Sequence, residues 1–339
     1  MAARKRPSSP DRGKSARGRQ AYDGLVRSQL GDLQRARILS AVYEVSRERG
    51  AGNVSVAHFV DAAGVSRRTF YEQFSDREDC LLAAFTQSVA AVRRRVEPAF
   101  EAHSEWREQV RAGLGAFLSF LDEEPSVGRM LVVESLSAGK PTLARRAELI
   151  DSLTRIVDRG RALSKSEALS PLTAEGVVGG ALAVIQSRLL EGPREPLAEL
   201  TGPLMSMIVL PYLGAAAARR ELARAPSPPL NGNASVESGS SVVLPTDPFK
   251  ALGMRLTYRT VRVLLATAEH PGGSNRLIGE TAGIGDQGQI SKLLGRLQRL
   301  GLVSNTGAGA GKGAPNAWTL TEQGTRIAEA MRVHTQDLQ

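Results

Sequence analysis

A chain of 339 residues exceeds one domain of common size, so two or three are expected. Its formal charge of +9 and pI near 10.1 favour a polyanionic partner. The single cysteine, Cys80, excludes an intramolecular disulfide framework and a multi-cysteine zinc site; His58, His103, His270 and His334 lack metal-ligand spacing, so no metal and no cofactor are expected.

The first twenty residues carry Arg4, Lys5, Arg6, Arg12, Lys14, Arg17 and Arg19 against Asp11, with Pro, Ser and Gly between them. Residues 1–28 are therefore expected to be a disordered basic arm. It either adds non-specific DNA affinity or only solubilises, and composition leaves both readings open. A polar, basic N-terminus with no apolar run behind it is not a signal peptide. The spacing predicts a first helix over Asp32–Arg49 with Ile38, Ala41, Val42 and Val45 buried, ended by residues 50–53.

The stretch SVAHFVDAAGVSRRTFYEQF, Ser55–Phe74, reads as two short helices joined by a tight turn. Val56, Phe59 and Val60 follow helical spacing behind Ser55 as N-cap. Gly64 supplies the turn, and Ser66 caps a second helix that sends Phe70 and Phe74 inward. Ser66, Arg67, Arg68, Thr69, Tyr71 and Gln73 occupy the outer face. Guanidiniums suit guanine edges or phosphates, and hydroxyls suit phosphate oxygens.

The run GVSRRTFYEQFSDREDCLLAAF resembles the DNA-binding module of the TetR repressor family, most strongly over residues 32–86. The resemblance implies that Tyr71 binds phosphate. Gln73 stands where histidine is frequent, and Arg77 where lysine is usual, which implies a phosphate contact with fork geometry. It also implies that the next helix, begun by Asp76 and interrupted at Pro98, links the reading head to the body.

From 100 to 224 the pattern stays helical, with candidate helices at 105–123, 126–137, 141–161, 173–191 and 196–220. Trp106, Phe117, Phe120, Met130 and Glu134 are candidates for a ligand cavity, although each taken singly reads as ordinary core. The last two helices are the most apolar. Gly176, Gly180 and Val184 with Leu204, Met207 and Ile208 are the candidate dimer interface, an arrangement the resembled family uses. The apolar run 203–218 is short and broken by Pro211, so it reads as a buried helix and not as a membrane span.

Residues 223–246, crowded with Pro, Ser, Gly and Asn, read as a linker. Beyond it, helices are predicted at 252–269, 276–282 and 286–300, the last with Ile290, Leu293, Leu294, Leu297 and Leu300 as its buried stripe. Two β-runs, 302–305 and 317–320, flank a glycine-rich tip, and a helix over 321–332 closes the chain. The runs DQGQISKLLGRLQRLGLV and LTEQG resemble the MarR-type winged-helix family, which implies that Gln287, Gln289, Ser291 and Lys292 face DNA. The wing tip offers only Lys312, where arginine is usual. A phosphate-loop reading of GAGAGKGAP fails, because Thr306 falls on the required first glycine and Gly313 on the required Ser or Thr.

The expected fold class is mainly α. It comprises a three-helix DNA-binding head (29–78), an all-helical dimerisation and ligand body (79–222), and a winged-helix domain with a small β-hairpin (247–333). The function expected is that of a homodimeric, ligand-responsive repressor, cytoplasmic and on the nucleoid, binding a pseudo-palindromic double-stranded operator. The alternative is a DNA-bridging scaffold whose winged helix contacts protein. No convergent nucleophile, base and orienter suggests an enzyme.

Overall fold

The computed structural model describes residues 12–164, 169–191, 195–225, 258–307 and 316–333, with side chains described between 30 and 329 of these. The linker beyond 225, the wing tip at 308–315 with Lys312, and residues 1–11 of the expected arm lie outside the described residues. The chain divides into two compact units, one of residues 38–246 and one combining 1–37 with 247–339.

Helix α1 runs Arg12–Arg49, so the expected start at Asp32 is corrected upstream by twenty residues, and residues 12–28 are helical instead of a disordered arm. No proline interrupts 12–49, and Arg, Lys, Gln, Ala and Leu, all strong helix formers, outnumber the four glycines before Asp32. Gly50, with φ of 77°, ends the helix, and a 3-10 turn at Ala51–Asn53 follows. Helices α2 (Val56–Ala63) and α3 (Arg67–Gln73) form the hairpin; Gly64 between them takes the left-handed conformation, with φ of 61°. Helix α4 (Arg77–Glu101) continues through Pro98, where a break was expected. Less than a turn lies beyond Pro98, so the ring forfeits little of the hydrogen-bond ladder. The buried Tyr43 hydroxyl of α1 donates to Ala84 O at 2.9 Å and lies 2.9 Å from Ser88 Oγ, fastening α1 to α4. Burial pushes its pKa up to about 12.

The body continues with α5 (Trp106–Glu123), α6 (Pro125–Val132), α7 (Lys140–Asp158), α8 (Thr173–Glu191) and α9 (Thr201–Ala223). Phe59, Phe70 and Phe85 share one apolar core with Leu118, Leu121, Met130 and Ile185, so head and body are not separate cores. A second core gathers Trp106, Val110, Met205, Val209 and Tyr212. There the indole Nε1 donates to Ile156 O at 2.9 Å, and its ring meets Tyr212 edge-on at 5.5 Å. Gly160 sits under the indole; a Cβ there would come within 2.5 Å of the ring. The stretch Leu197–Ala223 is long and apolar enough to cross a membrane, yet Leu204, Met205, Ile208 and Val209 are buried in the bundle and Gly214 breaks the helix with φ of 81°.

An ionic network is buried at the end of α9. Arg111, 1% exposed, donates from Nη1 to Glu221 Oε2 at 2.7 Å and from Nη2 to Arg224 O at 3.2 Å and Ala225 O at 2.8 Å. Arg224 in turn reaches both Glu108 oxygens at 2.9 Å. This network pins the C-terminal end of α9 to α5.

In the other unit, α10 (Tyr258–Glu269), α11 (Asn275–Thr281) and α12 (Gln287–Arg299) precede β1 (Val303–Asn305), β2 (Trp318–Leu320) and α13 (Glu322–Val333). The strands pair antiparallel, with Val303 opposite Leu320 and Asn305 opposite Trp318. Val261, Leu264, Ile290, Leu294, Leu297 and Trp318 form the core, joined by Leu30 and Leu33 of α1. Thr321 Oγ1 accepts from Gly324 N at 3.1 Å, the expected cap on α13. Gly324 itself has no room for a side chain, since a Cβ would fall 2.0 Å from Leu302 O.

Candidate nucleic-acid interface and effector cavity

Each helix of the head is fixed by its own cap. Ser55 Oγ accepts from His58 N at 3.5 Å while His58 Nδ1 accepts from Ser55 N at 3.2 Å, a reciprocal capping box at the start of α2. Ser66 Oγ accepts from Thr69 N at 3.0 Å and lies 2.9 Å from Thr69 Oγ1. Ser55, Ser66 and Thr69 thus have structural partners, whatever else they touch. The role of His58 was missed because a capping box is usually closed by Glu or Gln at that position.

Helix α3 buries Phe70 and turns outward Arg67, Arg68 and Tyr71, with Gln73 half-buried. Arg68 Nε is 2.9 Å from Glu72 Oε1, but the arginine side chain is 89% exposed. Such a pair contributes little and is readily exchanged for another anion. The Tyr71 ring is held edge-on against Phe70 at 5.4 Å, and the residue stays 57% exposed. Arg77 behaves otherwise. Its Nη1 donates to Ala51 O at 3.0 Å and to Gly52 O and Val54 O at 3.4 Å, so its guanidinium stitches α4 to the turn before α2. Arg77 thus has an internal role beside the phosphate contact expected of it: this one nitrogen serves three carbonyls, and the side chain stays 27% exposed.

Glu134 was expected in a ligand cavity. It is 4% exposed and binds the head instead: Oε2 accepts from Ala51 N at 2.8 Å, and Oε1 lies 3.2 Å from Arg129 Nη2. The turn Ala51–Asn53 is therefore gripped from two sides, by Arg77 of α4 and by Glu134 of the body.

The body forms a partly open apolar cavity of about 230 Å³ between α4, α5, α7 and α8. Val92, Val96, Phe100, Leu114, Phe117 and Ile150 are among its lining residues. Of the expected lining residues only Phe117 is found there. Trp106, Phe120 and Met130 are buried in the cores, and Glu134 is engaged as described, because helical periodicity marks an inward face without telling core from cavity. Two arginines also line the cavity. Arg93 pairs with Glu97 at 2.6 Å, whereas Arg146 has no hydrogen-bond or ion-pair partner among the described residues. Burial pulls the Arg146 guanidinium below its ordinary pKa, yet an arginine stays charged at neutral pH.

Of the expected dimer residues, Leu204 and Ile208 are 3% and 5% exposed and belong to this chain's own cores, a correction forced by the inward face of α9. Met207 packs on Gly180. Gly176, Gly179, Val184 and Leu190 of α8 and Leu210 of α9 present an exposed smooth apolar surface.

On α12, Gln287, Gln289, Ser291, Lys292, Arg296 and Arg299 are exposed. Asp286 caps the helix, accepting from Gly288 N at 2.8 Å and Gln289 N at 3.2 Å. Arg259 of α10, not singled out from the sequence, donates to Gln289 Oε1 at 3.2 Å and adds a cation to that face.

Residues 38–84 match the family model for bacterial regulatory proteins of the tetR family. The match thus covers the last twelve residues of α1, the hairpin and the start of α4. The HTH-type transcriptional activator FasR of Mycolicibacterium smegmatis is 28% identical over 118 residues, 35% of this chain and 53% of that protein, so the match spans about half of the relative's length. Among solved structures, the fatty acid degradation regulator FadR of Bacillus halodurans is 16% identical over 52% of this chain and 94% of its own, with a TM-score of 0.46. FadR of Bacillus subtilis, solved with stearoyl-CoA, is 19% identical over 52% of this chain and 97% of its own, with a TM-score of 0.45.

Proposed function

We propose that this protein is a dimeric, sequence-specific transcriptional regulator whose tetR-type heads read successive major grooves and whose body responds to a small molecule. The observation that carries the reading is α3, which buries Phe70 while turning Arg67, Arg68 and Tyr71 to solvent. The exposed apolar face of α8 and α9 supports pairing with a second copy, since patches of this kind mark interfaces. Two-fold pairing requires half-sites about one helical turn, roughly 34 Å, apart or a multiple of it. Lys292, Arg296 and Arg259 on the α10–α12 face support a second, winged-helix DNA contact. Footprinting on selected sites tests the reading: discrete protected half-sites are expected, with log-linear weakening as salt rises. Uniform coating without spacing points instead to a DNA-bridging scaffold.

The cavity supports an effector with an apolar chain and one anionic group. Its lining is mostly apolar and favours an apolar chain, and Arg146 offers a cation within it. A fatty acid or long acyl thioester has this chemistry. Binding between α4 and α7 favours one arrangement of the head-bearing helix, and DNA release follows only if the ligand binds the two states unequally. This is a repressor's logic; transcription measured with and without effector distinguishes it from activation. Oleate is expected to bind the protein and oleyl alcohol to bind weakly. Arg146→Gln is expected to weaken oleate about ten- to a hundredfold, the worth of a hydrogen bond to a charged group, while leaving the alcohol unchanged. Equal binding of both probes by the wild-type protein removes Arg146 from the site.

A further inference from the structure

Helix α1 contributes to two cores. Downstream, Ile38, Val42 and Val45 belong to the tetR-type head. Upstream, Leu30 and Leu33 are 8% and 3% exposed and belong to the core of the unit formed by α10–α13, together with Val261, Leu264, Ile290, Leu294 and Trp318. Their three-residue spacing places both on one helical face. The boundary between the two units falls within this helix, between Arg37 and Ile38. Nothing in the 38–84 match requires the upstream turns, because it begins only at Ile38.

We infer that the upstream part of α1 is an obligate folding partner of the C-terminal segment, which therefore forms a discontinuous domain completed by residues from the opposite end of the chain. Two independent features support this. The segment from α10 to α13 is small, and a domain of that size has little apolar core to spare, so two fully packed leucines are a large share of it. The upstream turns also have a sequence suited to helix but no reason of their own to bury Leu30 and Leu33; a solvated basic arm would leave them in water. The upstream turns of α1 are thus held to α10–α13 by apolar contact.

The consequence is linkage. Whatever binds the exposed face of α12 stabilises the upstream turns of α1, and whatever frays those turns loosens α10–α13 by the same factor. Removing the C-terminal segment is then not a neutral truncation, because it uncovers Leu30 and Leu33 next to the reading head's own sequence.

The test uses the full chain carrying Leu30→Asp with Leu33→Asp, followed by hydrogen exchange. Amide protection across Val261–Leu265 and Ile290–Leu297 is expected to fall about a hundredfold or more, while peptides across Phe70–Phe85 keep theirs. The milder Leu33→Ala is expected to give a smaller loss in the same peptides. Unchanged protection in α10 and α12 overturns the inference, as does a loss confined to the head. DNA binding need not be intact for this readout, so failure here is separable from failure of the proposed function.

Discussion

Replacing Arg67 and Arg68 by Ala with Tyr71→Phe is expected to abolish specific DNA binding and leave the fold intact. All three side chains point to solvent. Surface changes of this kind usually move stability by no more than about 0.5 kcal/mol. The lost contacts are worth far more. An arginine contact to a base edge contributes about 1–3 kcal/mol of discrimination, so two of them amount to at least a thirtyfold loss per head, and a paired site loses twice that free energy. The Glu72 carboxylate, freed of Arg68, adds repulsion toward phosphate. Fluorescence anisotropy on a selected operator, with circular dichroism as the folding control, measures both. Undiminished binding by the triple variant would remove α3 as the reader. Arg77→Ala should behave differently: it releases three carbonyls around residues 51–54, so thermal stability falls along with affinity.

Glu221→Ala is expected to be the most destabilising single change in the body. It leaves Arg111, at 1% exposure, without its carboxylate partner. Removing one member of a buried pair costs about 3–5 kcal/mol, toward the lower figure here because Arg224 O and Ala225 O still accept from Arg111. That is a large fraction of a typical domain's stability and shifts the melting temperature by about 10 °C. Arg111→Met with Glu221→Leu is expected to recover most of the loss, since a buried pair contributes little over a packed apolar replacement. A melting temperature unchanged by Glu221→Ala would mean that the α9 end is not anchored there. The neighbouring Glu108 gives a pH signature. Hydrogen bonding from Arg224 holds its carboxyl below the usual range, against partial desolvation. A folded pKa below the unfolded one adds stability above the unfolded value, and that part is lost as pH falls through the lowered folded value.

The head was legible because its signals are local. The caps Ser55 and Ser66, the turn at Gly64, the inward Phe70 and the helix start at Asp76 are all fixed by spacing along the chain, and the structure places each as expected. The helix α12 stripe and the two strands of the hairpin were legible for the same reason; the register between the strands was not. The cavity was not. Phe117, Phe120 and Met130 have the same periodicity, yet only Phe117 lines open space, since whether an inward face meets another side chain depends on helices distant in sequence. Arg146 carried no local mark at all; its place on the cavity wall exists only once α4, α5, α7 and α8 are assembled.

The amino-acid order alone determined that the chain makes helices, where most of them begin and end, and that one short helix carries paired guanidiniums and a tyrosine outward. Propensity, capping and period are properties of neighbours along the backbone, so they can be read without a fold. Tertiary structure alone decided that Arg77 and Glu134 grip the turn at residues 51–53, and that Leu204 and Ile208 serve this chain's own core. It also decided that Leu30 and Leu33 share a core with residues more than two hundred positions later. Each of these depends on which surfaces meet, and burial is a property of the assembled chain.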